Sequence, residues 1–90
     1  MASGFTGERR VRLESLAELL PDVGLVSRLV GEDDPVLWVW HPHTGRQTMI
    51  FATPSGQGWL FLWSPGGLGS ADDLESTAAA LRRALDAAQP

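Results

Sequence analysis

Two five-residue stretches, "VLWVW" (Val36–Trp40) and "WLFLW" (Trp59–Trp63), are apolar at every position. A strand sends alternate side chains to opposite faces, so a half-wetted strand reads apolar, polar, apolar. These two do not. Both faces of any sheet they build need cover, and a chain of 90 residues has little with which to provide it. That mismatch limits the fold, and then the function, more than any other feature of the sequence.

The segments around them read as tight hairpins. "HPHTGR" (His41–Arg46) resembles the Asp-Pro-Glu-Thr-Gly loop of short hairpins: Pro42 presets the turn, Thr44 bonds locally, and Gly45 supplies the left-handed residue. His41 stands where that pattern has aspartate, which is expected to weaken the local hydrogen bond. "TPSGQG" (Thr53–Gly58) repeats the idea, with Pro54 at the second turn position and Gly56 as a bulge glycine. Each loop predicts a register. The first sets Trp40 opposite Gln47 and Trp38 opposite Met49. The second sets Thr53 opposite Gln57, Phe51 opposite Trp59, Met49 opposite Phe61 and Gln47 opposite Trp63. Together they predict one face carrying Val36, Trp38, Trp40, Gln47, Met49, Phe51, Trp59, Phe61 and Trp63. The other face then holds Leu37, Val39, Thr48, Ile50, Leu60 and Leu62.

Helical spacing flanks this region. Leu13, Leu16, Ala17 and Leu20 predict a helix over 8–20, with Glu8 and Arg12 paired four residues apart and Pro21 ending it. Leu74, Ala78, Leu81, Leu85 and Ala88 form the stripe of a C-terminal helix, capped by Ser70, with Asp72 and Asp73 in its first turn. The valine-rich stretch 25–30 reads as a first strand placing Leu25, Ser27 and Leu29 on the tryptophan face, or alternatively as a short helix from Pro21. Residues 1–7 read as a loose tail and 8–90 as a single domain. The expected fold is α+β: a small antiparallel meander of three to four strands flanked by an N-terminal and a C-terminal helix, in the order α-β-β-β-β-α. That order resembles the secretion-chaperone type of fold, whose members pair up and bind client segments. The resemblance lies in element order alone.

Composition narrows the partners. Eleven acidic residues against seven basic ones, all arginine, give a net charge of −4, which opposes nucleic acid and anionic membrane alike. There is no cysteine, hence no disulfide, thiol nucleophile or thiolate metal site. No apolar run approaches the ~20 residues that span a bilayer, and "MASGFTGERR" lacks a secretory apolar stretch, so a cytoplasmic location is expected.

The chemical motifs read as structure. His41 and His43 flank a proline and lack a third metal ligand. "SPGGLGS" (Ser64–Ser70) leads into a helix but lacks the phosphate-binding lysine and meets Asp72 and Asp73, so it reads as a turn and cap. Ser55 does not have the spacing of a nucleophile elbow. Asp33 and Asp34 read as solvated, as do Arg9, Arg10 and Arg12 beside Glu8 and Glu14. Aromatic rings on a sheet suggest base stacking, yet Arg28 and Arg46 are expected on the opposite face.

Four indole N–H groups in a dry core would each need a partner, so the helices are expected to cover the aliphatic face. The aromatic face would then expose roughly 600 Å² or more, a large patch for a monomer. The function this implies is non-catalytic: a protein-binding or dimerisation module using Trp38, Trp40, Met49, Phe51, Trp59, Phe61 and Trp63 to bind itself, as a homodimer, a client segment or a partner protein. A sugar or other small ligand stacked on the same rings is the alternative. A small enzyme comes third, with no recognisable catalytic set. No cofactor or metal is implied.

Overall fold

A computed structural model describes residues 3–56, 58–64 and 66–86. Helix α1 (Ser3–Leu19) leads into a 3-10 turn (Leu20–Val23), then strands β1 (Val26–Val30), β2 (Val36–Trp40), β3 (Gln47–Ser55), β4 (Gly58–Trp63) and β5 (Gly67–Ser70), and finally helix α2 (Leu74–Asp86). The strands form one antiparallel sheet in the order β1-β2-β3-β4-β5. The chain is therefore a small α+β meander with a helix at each end and one strand more than the sequence predicts. No helix among the described residues is long and apolar enough to cross a membrane.

The extra strand is Gly67–Ser70, which the sequence reads as a turn and cap. Two of its four residues are glycine, and each lies directly under a neighbouring side chain. A Cβ on Gly67 would come within 2.0 Å of the Trp63 indole, and one on Gly69 within 2.3 Å of Thr77 Oγ1. Because Ser70 ends β5, α2 is capped instead by Asp73, whose Oδ1 accepts the Ser76 N–H at 3.2 Å. Ser70 Oγ accepts the Asp72 N–H. Along α2 the buried residues are Thr77, Ala78, Leu81 and Leu85; Ala88 lies outside the described residues.

At the N-terminus, α1 begins at Ser3, inside the stretch read as a tail, and ends at Leu19 before Pro21. Both readings of the next segment hold in part, since a 3-10 turn precedes the strand. Glu8 and Arg12 pair at 2.8 Å. Arg9 and Arg10 are not simply solvated. Arg9 Nε donates to the Ala52 carbonyl at 2.9 Å and Arg10 to that of Gly31 at 3.1 Å, fastening α1 to the sheet.

Both helices lie on one side of the sheet. Leu13 and Leu16 of α1, Leu20 of the 3-10 turn, and Ala78, Leu81 and Leu85 of α2 bury a single core against Leu37, Val39, Ile50, Ala52, Trp59, Phe61 and Trp63. The opposite side of the sheet has no layer over it among the described residues.

Candidate functional site

The first hairpin follows the expected register. His41 N–H donates to Arg46 O, Gly45 N–H donates to His41 O, both at 2.9 Å, and Gly45 has φ +76°. Trp40 faces Gln47 and Trp38 faces Met49. His41 does not weaken the turn. Its Nδ1 takes the place of the missing carboxylate and accepts the N–H groups of His43 and Thr44 at 3.0 and 3.3 Å. Nε2 then carries the hydrogen and donates to Asp86 Oδ1 at 3.0 Å, from a residue only 3% exposed. Asp86 also pairs with Arg82 at 3.1 Å. Its carboxyl is held below the ordinary value by the Arg82 hydrogen bond above all, against opposition from burial, and further by His41. With Thr44 Oγ1 donating to Leu85 O, these bonds lock the hairpin tip to the end of α2. Both ring nitrogens of His41 are committed to that lock.

The second hairpin departs from expectation. β3 continues through Pro54 to Ser55 and the chain turns between Ser55 and Gly58, so Phe51 faces Leu62, Ala52 faces Phe61 and Pro54 faces Trp59. Gln57, the expected partner of Thr53, lies outside the described residues; Thr53 faces Leu60. The proline is tolerated for a specific reason. Ala71 N–H donates to Trp59 O, which fixes the ladder phase in β4 so that Trp59 bonds toward β5 and the position opposite it in β3 bonds outward. Pro54 therefore has no N–H to lose to β4, and β2 pairs only with residues 47–50.

This register differs from the expected one by three residues, an odd number, and so turns β4 over. Trp59, Phe61 and Trp63 point into the core at 8%, 0% and 7% exposure, while Leu60 and Leu62 take their places on the open side. The seven residues read as one partner-binding face are thus divided. Trp38, Trp40, Met49 and Phe51 share the open side, and the other three are core. The first strand is inverted as well: Val26 faces Trp40 and Arg28 faces Trp38, so Val26, Arg28 and Val30 lie on the open side and Leu25, Ser27 and Leu29 face the helices. Arg28 stands among the aromatics rather than behind them, which leaves net charge as the argument against nucleic acid.

What remains open is a contiguous apolar surface. Val30 faces Val36, the β2–β3 register continued by one residue places Val36 beside Phe51, Phe51 faces Leu62, and Leu62 faces Leu68. One apolar side chain from every strand joins this row. Trp38, Trp40 and Met49 lie beside it, the two indoles 5.1 Å apart and tilted by 48°, with Trp38 Nε1 donating to Gln47 Oε1 at 2.7 Å. No family model, curated protein or solved structure matches this chain. The fifth strand departs from the element order on which the resemblance to secretion chaperones rests, so the surface is read from its own chemistry.

Val26, Trp38, Met49, Phe51, Leu62 and Leu68 are between 36% and 61% exposed. With about 150–250 Å² for a large apolar side chain, they present roughly 500 Å², at the upper end of what a monomer carries. At about 25 cal/mol per Å² that is on the order of 12 kcal/mol of gross driving force, comparable to the cost of association.

Proposed function

We propose that this chain is a non-catalytic protein-binding module that docks the apolar side of a partner polypeptide on the open face of its sheet. The contact residues are Trp38, Trp40, Met49 and Phe51, joined by Leu62 and Leu68. The observation that carries the reading is the unbroken row from Val30 to Leu68, one residue per strand, on a side to which neither helix contributes a layer. A row about 19 Å across, four strand spacings of about 4.8 Å, suits an extended or helical segment or another sheet. Trp38 offers a ring with its N–H already satisfied, so covering it strands no donor. The non-catalytic part is supported by His41, whose ring is spent on the turn and on Asp86.

The test is differential capture. Immobilised wild-type protein and a Trp38→Ser/Phe51→Ser variant are exposed to the same host extract, with circular dichroism establishing that the variant keeps its fold. Proteins retained by the wild type and lost from the variant support the reading. Identical retention on both refutes it.

A further inference from the structure

The outer edge of β5 and the flank of α2 beside it make a second surface, which meets the open face at Leu68. The Ala71 N–H to Trp59 carbonyl bond, 3.0 Å, fixes the phase of this ladder too. Antiparallel partners alternate between bonded and non-bonded pairs. With Phe61 opposite Gly69 and Leu62 opposite Leu68, the glycines bond to β4 and Leu68 turns both its N–H and its C=O to the edge. Its side chain is 61% exposed.

A groove of about 200 Å³ runs between this edge and α2, and Asp73, Ser76, Ala80 and Arg83 line its helical wall. Spaced three, four and three residues apart, they form one stripe along α2. The opposite flank of the helix, at Glu75 and Ala78, faces Leu19 and Val23 instead. The stripe is acidic at one end, small in the middle and basic at the other. Arg83 is exposed and makes no ion pair among the described residues.

Such a stripe complements its own reverse. Laid antiparallel about the point of the stripe midway between Ser76 and Ala80, Asp73 faces Arg83 of a second copy and Ser76 faces its Ala80, each contact made twice. The strand edge complements itself in the same way, since Leu68 opposite Leu68 of a second copy exchanges two backbone hydrogen bonds. One axis serves both. Thr77 stands directly over Gly69, the neighbour of Leu68, so the middle of the stripe and the outward-facing residue lie at one level of the fold. Small residues at Ser76 and Ala80 allow the close helix approach that adjacent strands impose.

We propose that two copies of this chain join edge to edge along β5 about this twofold axis, giving a ten-stranded sheet with the α2 helices side by side. The open faces are not consumed by this joint. They become one continuous surface, with the apolar row of each copy meeting at Leu68.

Sedimentation velocity over about 1 to 100 µM tests it, a range that brackets micromolar association. The wild type sediments as a dimer at the upper end. Leu68→Pro removes the edge donor while keeping a residue that edge strands tolerate, and Arg83→Glu sets an acid against Asp73 at an exposed position. Each raises the dimer dissociation constant at least about tenfold. If Leu68→Pro fails to fold, Arg83→Glu decides alone. A wild type monomeric throughout, or a dimer indifferent to Arg83→Glu, overturns the proposal. So does a dimer abolished by Phe51→Ser but not by the edge variants, which would place the joint on the open face.

Discussion

Replacing Gly67 by alanine should cost far more than the addition of one methyl suggests. The new Cβ would lie 2.0 Å from Trp63 Nε1, 2.1 Å from Cε2 and 2.4 Å from Cδ1. Gly67 is paired to Trp63 across the ladder, so its backbone cannot retreat without breaking β5 from β4. The indole has to leave its seat, and that ring is almost completely buried. Overpacking costs about 1–3 kcal/mol and complete loss of a buried tryptophan about 3–5 kcal/mol, so about 2–4 kcal/mol is expected. With a urea dependence of roughly 1–1.5 kcal/mol per M, the unfolding midpoint falls by about 2 M. The control is Trp63→Leu, which removes the clashing ring; in that background the alanine should cost less than about 1 kcal/mol, revealing the coupling in a double-mutant cycle. Without the clash, alanine in a strand is favoured over glycine by about 0.5–1 kcal/mol. A Gly67→Ala protein as stable as wild type, or more stable, would refute the placement of Trp63 over β5.

Other substitutions separate the two sides of the sheet and the two ends of α2. Trp59→Ser should lower stability by about 3–5 kcal/mol as a core truncation, whereas Phe51→Ser should change the urea midpoint by less than the equivalent of about 1 kcal/mol. Asp73→Ala should cost about 1 kcal/mol through loss of the cap on α2, measurable by thermal unfolding, and more than Ser70→Ala. Asp86 supplies the pH dependence. Its carboxyl is depressed in the folded protein, so its contribution is complete above the unfolded value of about 3.9 and is lost as pH falls through the lower folded value. Asp86→Asn should therefore flatten the acid limb of a plot of urea midpoint against pH, and an unchanged limb would remove Asp86 from the lock.

The legible parts of the fold were those where local chemistry admits one answer. Pro42, Thr44 and Gly45 define a turn that keeps its geometry even with histidine in place of aspartate, because an imidazole Nδ1 accepts the same two amide hydrogens. The second loop is ambiguous in a way no local rule resolves. Pro54 fits a turn corner and also an edge position of a strand, and the choice between them depends on where β2 ends, a tertiary fact. A register three residues different then moves three aromatic residues from one side of the sheet to the other. β5 is invisible for a related reason. Gly67 and Gly69 carry no strand propensity of their own and are explained by Trp63 and Thr77, which lie over them. The open face survives the correction because Leu62 stands opposite Phe51, where Trp59 was expected, and Leu60 follows it opposite Thr53, so apolar residues of β4 still face outward.

The division of the aromatics rests on the pairing of β3 with β4, which nuclear Overhauser contacts read directly. Ala52 and Phe61 form a non-bonded antiparallel pair, whose α-carbons approach to about 4.5 Å. A strong contact between the α-protons of Ala52 and Phe61 is the predicted result. Contacts pairing Phe51 with Trp59, or Met49 with Phe61, would contradict the account, because the indoles would then gather on the open side.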